Sequence, residues 1–448
     1  MDRTLSAVRL RIANVELFER DVRLRMPFRF GVVTLTEAPQ AFVRVRIRTE
    51  DGREAEGAAA ELLAPKWFDK NPALSNEDNF EQLRESLRAA RKCYLSHDAA
   101  TAWRHSSPAQ GLVANYGPAL LDRAVLDALC RALGLSFYTA IRKNVIGAEK
   151  FEGLHMPEFL AGLAPRKAIA ARHTVGLVDP ITAADARQRV HDGLPETLEE
   201  VVERYGHRYF KLKVGGDAVA DLERLSAIAS VLDRIESPYR ASLDGNEQYE
   251  DIEGVAALWS RMKAAPRLKR LVESVLFIEQ PVSRKNALAR PVKGIDRPVI
   301  IDESDDSLEA FPRAKALGYQ GVSSKTCKGI YKSLINRARC ASWGGGYFMS
   351  GEDLTIQAGL ALQQDLALVS LLGLEHVERN GHHYVNGMAG LPLAEQEAFL
   401  AAHPDLYERS HGAVRPGIVK GEMRIGSLDC PGFASGAMPD WNSMREIR

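Results

Sequence analysis

Two lysines on a short apolar segment are the first residues that could do chemistry. Residues 209–214 are predicted to form a strand that ends at two glycines, and Lys211 and Lys213 then point to the same face because side chains alternate along a strand. If that face is enclosed, burial and mutual repulsion both favour a neutral lysine, which accepts protons near neutral pH. An edge strand that carries two solvated lysines explains the same pattern.

Three acidic residues and a third lysine follow at regular intervals. Each ends a predicted strand, and the successive intervals from Lys213 are 31, 35, 23 and 23 residues, to Asp244, Glu279, Asp302 and Lys325. In a barrel of parallel strands the carboxyl ends of the strands meet at one mouth. Three enclosed carboxylates are costly without a cation, and Mg²⁺ prefers oxygen ligands. Taken singly, each acid could instead cap the helix after its strand.

The elements that must position these residues alternate between strand and helix. This alternation predicts an α/β fold in which eight parallel strands, joined by helical crossovers, close into a barrel. The strands are predicted at 168–177, 209–214, 239–243, 274–278, 298–301, 320–324, 347–350 and 375–378. The helices between and after them are predicted at 183–189, 199–205, 218–235, 252–264, 308–317, 330–343 and 356–372.

The first third of the chain has a different pattern and predicts a smaller α+β domain. Strands are expected at 12–18, 41–48 and 54–61, with a hairpin turn at Asp51-Gly52. Helices are expected at 79–93 and 119–133. Two aromatic loops, at 26–31 and 65–69, could pack in a core or cover the mouth of the barrel.

Composition excludes some classes of function. Hydrophobic residues at 45% and charged residues at 26% are typical of a soluble globular protein. Basic and acidic residues number 59 each, which disfavours nucleic acid or an anionic membrane as the main partner. Five scattered cysteines, none in a Cys-x-x-Cys pair, indicate reduced thiols and no zinc motif. The first residues lack the apolar core of a signal peptide, and polar residues interrupt the apolar region 356–374, so we expect a cytoplasmic protein.

The motifs together resemble the enolase superfamily, in particular its mandelate racemase and muconate lactonizing enzyme family. The match is closest to the muconate-lactonizing-enzyme subgroup, which includes dipeptide epimerases and o-succinylbenzoate synthases. Each motif alone is weak, but the set is specific and spans most of the chain. The motifs are Lys211-Leu212-Lys213, Asp244-Gly245-Asn246, Ile278-Glu279-Gln280-Pro281, Asp302-Glu303-Ser304 and Lys325.

This resemblance implies a modified TIM-type (β/α) barrel under an N-terminal capping domain, with Mg²⁺ as cofactor. It implies a capping domain at 1–145, a barrel at 146–390 and a C-terminal segment, 391–448, that returns to the cap. The run Cys430-Pro431-Gly432-Phe433 resembles the closing Pro-Gly turn of the family. The implied Mg²⁺ ligands are Asp244, Glu279 and Asp302, and the implied catalytic lysines are Lys213 as base, Lys211 as its modulator and Lys325 on the opposite face.

Substrate contacts are expected from the aromatic loops and the strand ends. The run 349–353 contains no histidine, which disfavours the paired Asp and His of racemase-type members. Glu352 and Asp353 could bind an ammonium or hydroxyl group, or could cap the helix expected near Ile356. The full set of expected substrate-binding residues is Phe28, Arg29, Trp67, Phe68, Asn246, Glu352, Asp353 and Glu378.

The chemistry that this set implies is removal of a proton α to a carboxylate. The resulting enediolate is stabilised by Mg²⁺, with lysine as the base, as in enolase-superfamily sites. Epimerisation or racemisation, β-elimination and cycloisomerisation of a small carboxylate all use this intermediate. Two other classes stay open: a metal-independent barrel enzyme with a Schiff-base lysine, and a non-catalytic binding barrel. Assembly into a homo-oligomer is also possible.

Overall fold

The computed structural model describes residues 7–448. Its strands are β1 (Arg9–Phe30), β2 (Val33–Thr49), β3 (Glu54–Leu62), β4 (Ala100–Thr101), β5 (Ala168–Val175), β6 (Tyr209–Lys213), β7 (Arg240–Asp244), β8 (Val275–Glu279), β9 (Val299–Ile301), β10 (Gly321–Ser324), β11 (Phe348–Gly351), β12 (His376–Arg379), β13 (Tyr407–Ser410), β14 (Ala413–Pro416), β15 (Glu422–Arg424) and β16 (Arg445–Glu446). Its α-helices are α1 (Asn76–Leu95), α2 (Ala102–His105), α3 (Leu112–Leu133), α4 (Phe137–Arg142), α5 (Met156–Ala161), α6 (Leu198–Tyr205), α7 (Ala218–Leu232), α8 (Ile252–Ala264), α9 (Lys269–Ser274), α10 (Arg284–Ala287), α11 (Ala310–Ala316), α12 (Ile330–Trp343), α13 (Leu360–Leu371), α14 (Gly381–Tyr384) and α15 (Leu393–Ala402).

The N-terminal sheet is antiparallel, in the order β16-β1-β2-β3, with β4 also paired to β1. The expected loop at 26–31 is wrong, because β1 continues to Phe30 and pairs with β2 up to Val33. Phe28 and Phe30 are buried while Arg29 between them is exposed, which is the period-two pattern of a strand. The turn expected at Asp51-Gly52 is confirmed, since it joins β2 to β3.

The eight predicted barrel strands are confirmed. Strands β5 to β12 pair in sequence order, all parallel, and the ring closes through β12 and β5. The pairing register sets Lys213 opposite Asp244, and Asp244 opposite Glu279. The sequence of the strands therefore brings these three residues to one level of the barrel.

Two helical expectations in the barrel region are wrong in part. Residues 183–189 form turns, because the carboxylate of Asp185 accepts hydrogen bonds from the backbone and hydroxyl of Thr182 in a local turn. Helix α13 begins at Leu360 instead of Ile356, because Thr355 and Gly359 have positive φ angles of 62° and 116°. Both departures come from short-range backbone geometry.

The C-terminal segment contacts both parts of the molecule. Strand β15 pairs antiparallel with β5 of the barrel, and β16 pairs with β1 of the N-terminal sheet. Phe433 stacks on Phe137 with ring centroids 4.0 Å apart. The domain limits at residues 145 and 390 stay predictions. Within residues 7–448, no helix combines the length and apolar character that a membrane span needs.

The N-terminal sheet and α3 approach each other most closely at Gly57 of β3. A Cβ atom there would lie 2.1 Å from the backbone nitrogen of Ala128 and 2.3 Å from the backbone oxygen of Ala124. We expect Gly57→Ala to lower the free energy of unfolding by roughly 1–3 kcal/mol, because a helix backbone cannot yield as a side chain can. Urea denaturation measures the loss.

The matched control is Gly345→Ala. Gly345 is exposed, and its added Cβ would meet no atom within 4 Å. That variant should stay within about 0.5 kcal/mol of the wild type. Equal effects of the two substitutions would contradict the close packing of β3 on α3.

Candidate active site

The centre of the barrel is a buried ammonium group among carboxylates. Strand β6 packs Phe210 and Leu212 into the apolar core, so Lys211 points to the interior. The four carboxylates around Lys211 come from different strand ends. Lys211 Nζ lies 2.9 Å from Asp244, 2.8 Å from Glu279, 2.7 Å from Glu352 and 2.9 Å from Glu378.

The surrounding carboxylates favour the charged form of Lys211. Burial opposes its charge, but the four surrounding carboxylates together raise the pKa of Lys211 well above its usual value. Lys211 is therefore the counter-ion of the acidic cluster. Nζ of Lys211 and Nζ of Lys213 contact the same oxygen, Oδ2 of Asp244, at 2.9 and 2.6 Å.

Lys325 lies across the ring from Lys213. The two residues belong to the second and sixth of the eight strands, Lys213 at the end of β6 and Lys325 directly after β10. Lys325 Nζ lies 2.6 Å from Oδ2 of Asp302. Burial opposes the charge of Lys325, but Asp302 raises its pKa above the usual value. The ion pair with Asp302 thus favours the ammonium form of Lys325.

The three expected metal ligands differ in how their oxygens are satisfied. Both carboxylate oxygens of Glu279 are buried and accept no hydrogen bond, so its contact with Lys211 is one of charge alone. Burial and the neighbouring Glu352 raise the pKa of Glu279 well above its usual value. Burial would also raise the pKa of Asp244 and Asp302, but the adjacent lysines lower it in both.

These residues fit a hard cation by donor chemistry. An all-oxygen set that includes two buried oxygens without hydrogen bonds suits Mg²⁺. The oxygens of the three carboxylates do not all lie within 4.8 Å of one another. Among residues 7–448, the group of potential metal ligands that meets this distance limit consists of three histidines outside this centre. A cation held by Asp244, Glu279 and Asp302 would share the two aspartates with Lys213 and Lys325.

Polar residues next to the strand ends form hydrogen bonds that fix the backbone at the mouth of the barrel. Oε1 of Gln280 accepts hydrogen bonds from the backbone N–H groups of Asp302, at 2.8 Å, and Ser304, at 3.0 Å. Glu303 is fully buried and accepts a hydrogen bond from Nδ2 of Asn246 at 3.3 Å. The expected substrate-binding residue Asn246 therefore lies at the mouth, with its own Oδ1 unpartnered.

Glu352, Asp353 and Glu378 have separate surroundings. Glu352 is paired with Lys211 and with Arg172 of β5. Asp353 accepts hydrogen bonds from the backbone N–H groups of Ile356 and Asn380, so it organises the turn before α13 and does not cap the helix itself. Glu378 accepts a hydrogen bond from the hydroxyl of Thr174 at 2.7 Å and faces the interior.

The aromatic loop 65–69 lies over the barrel, as one of the two alternatives predicted. The ring of Trp67 covers Lys325, with Nζ 4.2 Å from the ring centroid. Phe68 packs edge-on against Trp67 and Tyr116. Arg284 of α10 donates hydrogen bonds to the backbone carbonyls of Trp67 and Phe68 at 2.7 and 2.8 Å. The loop is thus tied to the barrel at its rim.

The other aromatic pair lies apart from this loop. Phe28 is buried and stacks on Tyr384, with ring centroids 4.2 Å apart, while the side chain of Arg29 is exposed. The backbone carbonyl of Arg29 accepts a hydrogen bond from Leu177. These contacts place Phe28 and Arg29 beside the segment after β5.

An open cleft of about 1210 Å³ lies outside the loop, between α1, α3 and the barrel rim. Phe68, Lys70, Glu247 and Arg284 line it, but Lys213 and Lys325 do not. Both lysines are buried, and the ring of Trp67 covers Lys325. A substrate that approaches Lys325 from this cleft therefore has to displace Trp67.

Sequence reasoning missed several polar residues of this centre. Arg172 and Thr174 of β5 share the interior face, which their two-residue spacing could have revealed. Lys328 lies 3.3 Å from Oδ1 of Asp302, and only its place three residues after Lys325 hinted at a role. Lys70 lies 2.8 Å from Glu247 across the mouth, and nothing in the local sequence indicates that contact.

The charge balance around Lys211 yields a stability prediction. Lys211→Met leaves the surrounding carboxylates without their counter-ion, so the free energy of unfolding should fall by about 3–5 kcal/mol. Lys263→Met removes an exposed pair with Asp296 and should cost no more than about 1 kcal/mol. Urea denaturation of both variants measures the difference.

Added Mg²⁺ extends this test to the metal site. If the carboxylates bind the cation, Mg²⁺ should return part of the stability that Lys211→Met loses, because a ligand that binds the native state stabilises it. A loss as small as that of Lys263→Met would contradict the role of Lys211 as counter-ion. A full loss that Mg²⁺ leaves unchanged would contradict the metal site instead.

Comparison with known proteins identifies relatives by sequence. Residues 193–405 match the family model described as enolase C-terminal domain-like. A chloromuconate cycloisomerase from Pseudomonas putida is 31% identical over 157 residues, 33% of this chain and 40% of that protein. A muconate cycloisomerase from Acinetobacter lwoffii is 24% identical over 318 residues, 69% of each chain. The matched part thus spans about two fifths of the first relative.

Solved structures share the fold along nearly the whole chain. An L-Ala-D/L-Glu epimerase from Bacillus subtilis matches with a TM-score of 0.63 and 16% identity, over 96% of this chain and 99% of that one. A muconate lactonizing enzyme from Pseudomonas fluorescens, complexed with muconolactone, matches with a TM-score of 0.64 and 19% identity, over 98% of each chain. At these identities the likeness is one of fold.

Proposed function

We propose that this chain, which belongs to the enolase superfamily, is an isomerase or lyase that removes the proton α to the carboxylate of a small acid. One observation carries the proposal. Lys213 and Lys325 lie at strand ends on opposite sides of a closed ring, each 2.6 Å from a strand-end aspartate. Two amines on opposite sides of a carbon atom bound between them can take a proton from one face of that carbon and return it to the other.

The acidic centre supports chemistry that forms a dianion. When bound, Mg²⁺ supplies Lewis-acid stabilisation of the enediolate charge. Asp244, Glu279 and Asp302 are the residues that would hold it, and Glu279 contributes two buried oxygens that accept no hydrogen bond. Lys211 neutralises part of the charge of the four surrounding acids, which reduces the repulsion that a carboxylate substrate would meet.

Lys325 is placed to act as proton donor. Asp302 favours its ammonium form, and an ammonium group can deliver a proton to a carbanion-like carbon. Lys213 is placed to hold or take a proton on the opposite side. The ring of Trp67 over Lys325 keeps water from that ammonium group, which strengthens its interaction with a developing negative charge.

Three outcomes are compatible with these residues. Racemisation or epimerisation uses both lysines, whereas cycloisomerisation and β-elimination use one as base and leave the other as a cation or acid. The sequence relatives are named as cycloisomerases, and the structural neighbours include epimerases. We infer that the chain belongs to this group of small-carboxylate enzymes. Exchange of the α-proton in D₂O distinguishes the three reactions.

The Schiff-base alternative is less favoured by the observed ion pairs. An imine forms from a neutral amine, but the two candidate nucleophiles, Lys213 and Lys325, each lie 2.6 Å from an aspartate that favours the ammonium form. A non-catalytic binding barrel is also disfavoured, since none of the six residues that the family signature requires is replaced. Borohydride trapping with a keto acid tests the first alternative directly.

The lysines yield the main functional prediction. A library of small carboxylates, including dipeptides and lactone-forming acids, is incubated in D₂O with Mg²⁺, and deuterium at the α-carbon is measured for each enantiomer. Lys213→Ala and Lys325→Ala should each reduce exchange by about 10²–10⁴-fold, but from different enantiomers, because the two amines face opposite sides of the carbon. Lys263→Ala, a surface lysine, is the control.

Each pattern of exchange has a meaning. Loss of exchange of both enantiomers on removal of only Lys213 would indicate a one-base enzyme, a cycloisomerase or dehydratase. Undiminished exchange of both enantiomers in Lys213→Ala would contradict the proposal. Exchange that persists unchanged after complete removal of divalent cations would contradict the role of Mg²⁺.

Trp67 yields a second prediction about substrate choice. Because its ring covers Lys325, Trp67→Ala should change the ratio of kcat/KM between two accepted acids by about tenfold or more, at the scale that pocket contacts contribute. Trp441→Ala removes a tryptophan that stacks on Phe18, in the N-terminal sheet, and should leave that ratio unchanged. Equal loss of stability in both variants with no change of the ratio would assign Trp67 to packing alone.

A further inference from the structure

A second cluster of functional side chains lies on the outside of the barrel. Its four members are histidines, and none takes part in the proposed reaction. His173 is in β5, between the interior-facing Arg172 and Thr174, and so points away from the interior. The other members are His207, two residues before β6, and His382 and His383 of α14, and all four are buried.

Three of these histidines are arranged around a common point. The ring centroids of His173, His207 and His382 are 5.3 Å apart in each of the three pairs. Each residue offers a ring nitrogen, and these three nitrogens all lie within 4.8 Å of one another. Nδ1 of His173 and Nε2 of His382 are 3.2 Å apart.

The hydrogen bond of His207 determines its tautomer. Nδ1 lies 3.0 Å from the backbone carbonyl oxygen of Ala171, which can only accept, so Nδ1 carries the proton. Nε2 then has a free lone pair, and this atom is buried without any hydrogen-bond partner. A buried acceptor without a donor is costly, and the cost is removed if Nε2 binds a cation.

The other rings are also in the form that binds metals. Burial lowers the pKa of His207 to about 4 and lowers the pKa of His173 and His382 well below the usual value. Neutral imidazole is the ligand form of histidine. Nδ1 of His173 and Nε2 of His382 share one proton in their hydrogen bond, and a cation that binds both nitrogens displaces it to another ring nitrogen or to solvent.

We propose that His173, His207 and His382 form a binding site for one transition-metal dication, of which Zn²⁺ is the redox-inert example. Tetrahedral Zn²⁺ with Zn–N distances of about 2.0–2.1 Å requires ligand nitrogens about 3.4 Å apart. The separation of 3.2 Å between His173 and His382 is close to that value, and His207 has to approach from within 4.8 Å. An all-imidazole set favours Zn²⁺, Ni²⁺ or Cu²⁺ over Mg²⁺, so the site is distinct from the carboxylate centre.

The three ligands come from elements that meet where the barrel closes. His173 belongs to the first strand of the ring, His207 precedes the second, and His382 lies in the helix that follows the last strand. A bound metal would link these elements across the seam between β12 and β5. Its role is structural: it stabilises the closure of the ring.

A neighbouring cleft and Arg415 affect which ligand could occupy the fourth coordination position of the metal. Three protein ligands leave one position free, and a cleft of about 370 Å³ lined by His207 and Lys420 opens beside the cluster. Arg415 donates a hydrogen bond to the backbone carbonyl of His382 at 3.1 Å. This guanidinium group opposes a dication, and it favours an anion or hydroxide at the fourth position.

The test uses the full chain after treatment with a chelator. In excess Mg²⁺, which saturates oxygen sites, the protein is titrated with Co²⁺ and then with Zn²⁺. We expect one equivalent of Co²⁺ to give the strong visible absorption of a four-coordinate ion and Zn²⁺ to displace it. X-ray absorption at the zinc edge should show imidazole nitrogens at about 2.0–2.1 Å.

Variants locate the site. His207→Gln and His382→Gln should each weaken Zn²⁺ binding by more than about 100-fold, since loss of a ligand exceeds the 10–100-fold effect of its outer partners. They should also abolish the rise in Tm that Zn²⁺ gives the wild type. His403→Gln is the control, because His403 is buried, outside the cluster, and near Ser427.

Three results would overturn the proposal: no binding of Co²⁺ or Zn²⁺ in excess Mg²⁺, a zinc spectrum with oxygen ligands only, or unchanged affinity in both cluster variants. The wild-type absorption spectra decide the matter even if a variant fails to fold. Proton exchange by the carboxylate centre is measured separately, so failure of one proposal leaves the other intact.

Discussion

The structure depends on a single buried ammonium group. Lys211 Nζ lies within 2.9 Å of four carboxylates that the closing of the barrel brings together. Without a cation at that point the interior of the ring would hold a cluster of acids in a medium of low dielectric constant, which is strongly unfavourable. The lysine thus allows the barrel to close around residues whose chemistry requires them to be charged.

The same charge balance extends outward in pairs. Asp244 is shared by Lys211 and Lys213, and Asp302 by Lys325 and Lys328. Of the three acids proposed as metal ligands, Glu279 is the one whose oxygens accept no hydrogen bond. Each aspartate thus has two lysine partners, whereas Glu279 is the unsatisfied acid, and an additional cation stabilises the site most at that position.

Strand β5 shows how one segment serves two different environments. Arg172 and Thr174 face the interior and contact Glu352 and Glu378, whereas His173 faces outward into the cluster of imidazoles. Because side chains alternate along a strand, the carboxylate centre lies on one side of the sheet and the imidazole cluster on the other. The two proposed cation sites therefore differ in the class of metal that they prefer.

The order of strands and the strand-end position of the lysines and acids follow from the sequence alone. Periodic alternation of strand and helix is a local property, and a closed parallel barrel brings all strand ends to one mouth, so the level of Lys213, Asp244 and Glu279 could be predicted. The strand character of residues 26–30 was also present in the sequence, because Arg29 separates Phe28 from Phe30, but Pro27 and Gly31 on either side favoured a loop.

Other properties were decided only by the tertiary structure. The charge of Lys211 depends on Glu352 and Glu378, which are more than 140 residues away in the chain, so no local pattern could show that carboxylates outweigh burial. The contact of Trp67 with Lys325 and the meeting of His173, His207 and His382 arise from the same cause. Electrostatic and packing energies depend on the distance between residues in space, whereas the sequence gives only their separation along the chain.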